Sequence, residues 1–300
     1  LPTRYNFVLM LPQDVTERIL TEALVEAGGA VRWGCTVESL TETAKGIHAC
    51  LATSEGKQIV PARYVIGADG MNSLVRETAG IGFSGGSHKE SFVLADVSMD
   101  WEHGGNEVML FLSAAGLLVI APLMAGKYRI VATLENAPAQ PVITDVQALV
   151  DSRGPTGAAS RISQMHWSSR FHVHHRVADY FHRRRYVLAG DAAHVHSPAG
   201  GQGMNTGLVD ACMLGQILSD VILNHKDYCA LDHYEILRKP AAEQMLQLAE
   251  RLTRLALIKS VPQRFLRNVL LQMLGVFPVF RQRLQMNLSG LSRRAAARID

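Results

Sequence analysis

Cysteine, aromatic rings and long apolar runs are all scarce in this chain, and each scarcity removes a class of protein. Only four cysteines occur in 300 residues (Cys35, Cys50, Cys212 and Cys229), none in a C-x-x-C spacing. That argues against a disulfide-built scaffold or a paired-thiol site and predicts reduced, mostly buried thiols. Aromatic residues make up 6% of the chain, too few for a base-stacking platform, so no nucleic-acid partner is expected. No uninterrupted apolar run approaches the ~18 residues of a transmembrane segment. The longest, around residues 116–124, contains a proline. Residues 1–12 lack the basic start, apolar centre and small-residue cleavage site of a secretory leader, so a cytoplasmic location is expected. There is no internal repeat and no low-complexity segment.

Acid is nearly missing from one end. Residues 251–300 hold ten Lys and Arg against the single acid Asp300, a balance of +9, whereas the net charge is +3, leaving −6 for residues 1–250. Such a tail suits a membrane, a nucleic acid or an acidic partner. A solvated helical face is the preferred reading, because cations also favour helix C-termini.

What is present is globular: 48% hydrophobic and 19% charged residues, enough for one large domain or two joined ones. Residues 14–27 have helical apolar spacing, with Asp14 as N-cap, Glu17 three residues on and Gly28 at the end. A short strand is expected over 30–33, then a meander over 36–41, 47–52 and 58–60. Residues 63–67 read as a strand that runs into Ala68-Asp69-Gly70 and a short helix over 73–78. Residues 88–177 alternate as strands, interrupted by a helix over 142–152. Residues 185–190 form a continuous apolar strand of the parallel-sheet kind. A helix over 204–223 is expected to face inward with Leu208, Ala211, Cys212, Gly215, Leu218 and Ile222. Residues 231–300 are helical in period, punctuated by Pro240, Pro262 and Pro278.

The densest chemistry lies between Asp191 and Asn205. A strand ends at Gly190 and is followed at once by a carboxylate, at the sheet edge where open α/β sheets bind ligands. An ionised Asp only accepts hydrogen bonds and suits sugar hydroxyls. Pro198, Gly200, Gly201 and Gly203 then let backbone approach a flat ligand, and the loop enters a helix N-terminus that favours an acceptor or anion.

These residues carry a resemblance. Gly190-Asp191-Ala192-Ala193-His194 with Gly200-Gly201-Gln202-Gly203-Met204-Asn205 resembles the second FAD motif of para-hydroxybenzoate hydroxylase-like monooxygenases. Gly67-Ala68-Asp69-Gly70-Met71-Asn72-Ser73-Leu74-Val75-Arg76 resembles their Gly-Ala-Asp-Gly-x-x-Ser-x-Val-Arg motif. The likeness covers most of residues 1–245. It implies an α/β (mixed α+β) fold: a Rossmann-like, FAD-binding parallel sheet with an inserted, mainly antiparallel substrate domain and C-terminal helices. The implied division is 1–80 and 178–230 for FAD, 81–177 for substrate, and 231–300 helical. It implies that Asp191 contacts the flavin's ribityl or ribose side and that Gly203, Met204 and Asn205 hold the pyrimidine edge of the isoalloxazine, with Gly200, Gly201 and Gln202 also binding the cofactor. Pro198 borders the reacting face. Asp69 and Gly70 serve FAD and reduced nicotinamide, and Gln13 reaches the ribityl region.

The implied activity is hydroxylation of a small aromatic molecule with FAD, NADPH or NADH, and O2. His196 is a candidate proton-transfer residue, whereas His194 belongs to the recurring motif and reads as structural. The same fold also hosts flavin halogenases and reductases. The halogenase Trp-x-Trp-x-Ile pattern is absent, since Trp33, Trp101 and Trp167 stand alone.

Two patterns are set aside. Gly80-Ile81-Gly82-Phe83-Ser84-Gly85 fits G-x-G-x-x-G but follows a helix and opens none, so it reads as an interdomain turn. His166, His172, His174, His175 and His182 sit among Arg170, Arg176 and Arg183 to Arg185 with no carboxylate or thiol at ligand spacing, so no metal is expected. The resembled family also opens with a βαβ unit bearing the true G-x-G-x-x-G, which does not occur here. The expectation is therefore an N-terminally truncated FAD domain, a segment supplied by another chain, or a remnant without independent activity. If expressed alone, it is expected to be unstable or to self-associate.

Overall fold

The computed structural model describes residues 3–5, 7, 9–103, 105–155, 160–197, 201–224 and 226–293. In chain order the elements are α1 (Gln13–Glu26), β1 (Thr36–Glu42), β2 (Ile47–Thr53), β3 (Gly56–Ala62), β4 (Val65–Gly67), α2 (Leu74–Thr78), β5 (Phe83–Met99), β6 (Met109–Ser113), β7 (Gly116–Pro122), β8 (Lys127–Leu134) and α3 (Ile143–Arg153). They continue as β9 (Ile162–Ala178), β10 (His182–Arg183), β11 (Tyr186–Leu188), β12 (His194–Val195), α4 (Gly203–Leu223), α5 (Ala230–Ala256), α6 (Val261–Val276) and α7 (Pro278–Leu288). This is the mixed α/β architecture expected.

The chain folds as two compact units, one from Leu1–Ala30, Ser87–Val173 and Leu252–Arg283, the other from Val31–Gly86, His174–Arg251 and Leu284–Asp300. The long strands β5 and β9 and the helix α5 run through both.

In the first unit, antiparallel strands are ordered β9-β5-β8-β7-β6. The register runs from Ser91↔Leu134 to Ser98↔Lys127 between β5 and β8, and from Leu118↔Ala132 to Pro122↔Tyr128 between β7 and β8. Alternate residues Val93, Ala95, Val97, Leu118, Ile120, Ile130 and Ala132 point to one face and bury against Val146, Leu149 and Val150 of α3, as the two-residue period of a pleated strand requires. Arg129 pairs with Asp96 through both Nε–Oδ1 (2.8 Å) and Nη2–Oδ2 (2.9 Å).

In the second unit, β1-β2-β3 form the expected meander. A second sheet, ordered β10-β11-β4, contains the parallel pair that positions the candidate site: Tyr186↔Val65, Val187↔Ile66 and Leu188↔Gly67. The β11 triplet is wholly buried and packs with Val75, Met213, Leu214, Ile217 and Tyr234.

Several expectations need correction. Residues 30–33 form no strand, and Trp33 is 83% exposed. Among the described residues this segment pairs with no neighbouring strand, and an extended segment without a ladder is only coil. Asp14 does not cap α1. Pro12 takes that place without a side-chain bond, and Glu17 accepts from Gln13 Nε2 (2.7 Å). The cysteines are not mostly buried, since Cys212 and Cys229 are exposed and the other two half-buried.

The inward face of α4 also differs from the one expected. It presents Thr206, Asp210, Met213, Leu214, Ile217 and Val221 to the core and leaves Ala211, Cys212 and Gly215 outside. The helix is apolar nearly all round, so periodicity could not choose the face. Met213, Leu214 and Ile217 pack into the core on this face, and Asp210 can join them because His194, Arg238 and Gly190 satisfy its carboxylate. By length and composition α4 would also suffice to cross a membrane, contrary to the run-length expectation, but it packs here as a core helix of its unit.

Candidate flavin site

Both marked acids follow the ends of adjacent parallel strands. Ala189 N–H donates to Gly67 O (2.9 Å), extending the ladder one step past β11, and the chains then leave through Asp69 and Asp191. Both carboxylates are exposed at the carboxyl edge of the sheet. Asp69 Oδ2 accepts from Val75 N–H (3.2 Å) and Ser73 Oγ from Arg76 N–H (3.0 Å), so the two side chains cap α2. A Cβ on Gly67 would stand 2.8 Å from Val75 Cβ, so the strand can approach α2 closely only with glycine there.

Arg76 joins the two motifs. Its guanidinium is buried, donates from Nη1 to Ala192 O (2.9 Å) and from Nη2 to Met71 O (2.7 Å), and lies 3.9 Å over the Phe83 ring. Burial lowers its pKa. The recurring Arg of one motif thus holds the backbone of the other, and the spacing of 122 residues between Asp69 and Asp191 closes into one surface.

Beneath the Asp191 loop lies a buried ionic cluster. Asp210 of α4, fully buried, accepts from His194 Nε2 (2.6 Å), Arg238 Nε (2.7 Å) and Gly190 N–H (3.1 Å). Burial alone would raise its pKa, but His194 and Arg238 outweigh it and hold the carboxyl below its ordinary value. The His194 ring stacks on Phe181 (5.9 Å between centroids), and its Nδ1 is buried with no partner. Tyr234 O–H donates to Leu188 O (2.9 Å), and burial pushes its pKa well above the usual value. Gly190 (φ +59°) brings the short 3-10 turn Gly190–Ala192 onto α4, where a Cβ on Gly207 would lie 3.4 Å from Gly190 Cα.

The helix α4 starts with Gly203, Met204 and Asn205. Its N-cap, Gln202, makes no side-chain capping bond, and its first turn has no acid. Instead the buried Gln202 side chain donates to Leu288 O, while Met204 and Asn205 are exposed. Gly201 (φ +62°) has open space where a Cβ would be. His196 Nδ1–H donates to Ser197 O (2.8 Å), Nε2 is buried without a partner among the described residues, and burial lowers its pKa. Gln13 opens α1 in the other unit, exposed and bonded to Glu17. Pro198 and Gly200 lie outside the described residues.

The model of the family described as FAD binding domain matches residues 1–249. The chain belongs to that FAD-binding family. Pentachlorophenol 4-monooxygenase of Sphingobium chlorophenolicum is 33% identical over 253 residues, 82% of this chain and 47% of the relative. The 6-methylpretetramide 4-monooxygenase of Streptomyces rimosus is 34% identical over 263 residues, 87% of this chain and 47% of the relative. The solved structure of OxyS anhydrotetracycline hydroxylase from Streptomyces rimosus superposes with a TM-score of 0.81 at 30% identity, covering 96% of this chain and 58% of that one. The chain therefore spans about half the length of the curated relatives it matches.

The residues of this FAD-binding domain suit the cofactor's ribityl and isoalloxazine half. Exposed carboxylates at the sheet edge accept from hydroxyls, Gly201 leaves room for a flat ring, and uncapped α4 amides offer donors to an electron-rich edge. Asp210, Arg238, Arg76 and Gly207 received no role from the sequence. Two had a signal: Arg76 closes the motif that opens at Gly67, and Asp210 is an acid amid the apolar run Leu208 to Leu214.

Proposed function

We propose that the protein is a flavin-dependent monooxygenase that places a hydroxyl on a small aromatic molecule, using FAD, NADPH or NADH, and O2. One observation carries the reading: Asp69 and Asp191 leave the ends of two paired parallel strands, with the turn after β11 seated on the N-terminal part of an uncapped helix. FAD, reduced by the nicotinamide, supplies the electrons that activate O2. The chain's own residues bind and orient. Asp191 accepts from the ribityl or ribose hydroxyls, and Gly201, Gln202, Gly203, Met204 and Asn205 line the pyrimidine edge. The α4 N-terminus favours negative charge there by about 0.3–2 kcal/mol.

Asp69 and Gly70 serve the cofactor and the nicotinamide, Gln13 the ribityl region, Gly200 the cofactor and Pro198 the reacting face. His196, whose pKa burial lowers, serves as the proton-transfer group in this reading. Residues 81–177 form the substrate domain in this reading, and residues 1–80 and 178–230 the FAD-binding domain. The cytoplasmic location and self-association belong to the same proposal.

The test is flavin absorbance in the purified protein, followed by aromatic-stimulated NAD(P)H oxidation with mass analysis of products. A protein that holds no flavin after reconstitution overturns the reading, and a chlorinated or reduced product reassigns the class. Asp191→Ala is expected to weaken FAD binding while leaving the melting curve in place, because the side chain is exposed. Unchanged affinity removes Asp191 from the site.

A further inference from the structure

The helix α6 is turned inside out. At helical spacing, Phe265, Leu266, Val269, Leu270, Met273 and Val276 fall on one side of it. A helix of a globular protein ordinarily buries such a stripe. Here all of these but the half-buried Val269 are exposed, Phe265 by 71%, Met273 by 60% and Val276 by 74%. Phe277 and Val279, just beyond the helix, are exposed as well. Arg264 and Arg267 share the opposite side, and Arg267 is the one buried residue of the helix. Its Nη1 donates to Leu255 O (3.0 Å), its Nη2 to Leu112 O (3.3 Å) and its Nε to Asn268 Oδ1 (3.0 Å). The charged side therefore faces the first unit, to which all these residues belong, and the apolar side is open to solvent. This is not the solvated polar face expected from the charge of the segment.

Charge decides what can cover the apolar side. Residues 252–283 hold Arg254, Lys259, Arg264, Arg267, Arg281 and Arg283 and no acid, a balance of +6. Lys259 pairs with Glu135, both largely exposed, which leaves +5. Exposed cations stand at both ends of α6: Lys259 two residues before it, Arg281 and Arg283 five and seven residues after it. A second copy of the chain would set one such segment against another of the same sign. An anionic lipid surface supplies the opposite sign together with an apolar layer, and it needs no complementary shape. Large apolar residues on one face, with Arg and Lys and no acids elsewhere, is the make-up of helices that lie in a membrane interface. At 16 residues, α6 is shorter than the ~20 needed to span a bilayer, so it lies along the surface.

We propose that the outward face of α6 binds an anionic lipid surface, with Phe265, Leu266, Leu270, Met273 and Val276 entering the headgroup boundary and Lys259, Arg281 and Arg283 meeting the anionic headgroups. The inference goes beyond the flavin reading and does not depend on it, because α6 lies outside residues 1–249 that the family model matches.

Flotation of the full chain with vesicles of phosphatidylcholine alone, and of phosphatidylcholine mixed with phosphatidylglycerol, tests it. Binding to the phosphatidylglycerol vesicles is expected, and it should fall as salt is raised. Phe265→Glu with Met273→Glu is expected to abolish it with an unchanged circular dichroism spectrum, since both side chains are exposed. Arg281→Gln with Arg283→Gln is expected to weaken it roughly 25-fold, at about fivefold per cation near the surface. The proposal is overturned if the folded wild-type chain leaves both vesicles unbound, if it binds neutral vesicles equally well, or if the Phe265→Glu, Met273→Glu variant floats as the wild type does. A chain that sediments as a dimer, is split by that variant and stays off the vesicles assigns the face to a second copy and overturns it too.

Discussion

Replacing Asp210 with Asn removes the negative charge on which the Asp191 motif and the helices α4 and α5 converge. The side chain is fully buried and satisfies His194, Arg238 and Gly190 N–H at 2.6, 2.7 and 3.1 Å. Asn keeps the shape and one acceptor but removes the carboxylate that Arg238 Nε donates to. Breaking a buried pair by removing one partner costs about 3–5 kcal/mol, and the retained shape puts Asn near the lower end. At roughly 2–4 °C per kcal/mol for a chain of this order, the melting temperature should fall by roughly 6–12 °C.

Thermal unfolding followed by circular dichroism at pH 7 reads this directly, and the urea midpoint should fall with an unchanged slope. A second arm isolates the charge: Asp210→Leu with Arg238→Leu should be more stable than Asp210→Leu alone, although it removes more contacts. The pH dependence has a definite sign. The folded pKa of Asp210 lies below its ordinary 3.8, so its stabilisation is present above that value and is lost as pH falls through the folded pKa. Asp210→Asn should flatten this acid limb. A loss below about 1 kcal/mol, the scale of an exposed pair, would refute the claim that this buried charge cluster holds the loop.

Other perturbations probe separate contacts. Arg76→Lys should cost about 1.5–3 kcal/mol in urea unfolding, because one ammonium cannot serve Met71 O and Ala192 O and stack on Phe83. Wild-type stability in that variant would mean that the two motifs are not tied by this residue. Gly207→Val should push the 190–192 turn off α4, since the Cβ position is already 3.4 Å from Gly190 Cα. A loss of about 1–3 kcal/mol together with weaker flavin retention is the outcome to look for, and a neutral result removes the packing argument. Burial lowers the pKa of His196 from 6.5, so its contribution is present above pH 6.5 and lost as pH falls through the folded value. His196→Gln should therefore flatten the stability profile below pH 6.5, and an unaltered profile would place the ring in water.

By itself the sequence determined element types and the two motif loops. The strands over 36–41 and 47–52 and the alternation over 88–177 were legible because alternation and turn residues are local properties. Asp69 and Asp191 were legible because a carboxylate directly after an apolar strand is an adjacency in the chain. Short or uniformly apolar segments were not. Residues 30–33 had the composition of a strand, but a strand exists only through its partner. The face of α4 could not be chosen from a helix apolar all round. Tertiary structure decided that face by bringing Asp210 to His194 and Arg238, residues 16 positions before it and 28 after it. It likewise set Arg76 beneath Ala192, 116 positions away. Each of these depends on which charged group finds a partner once water is excluded. Sequence spacing does not encode that pairing, because it is set by distances between segments that are remote in the chain.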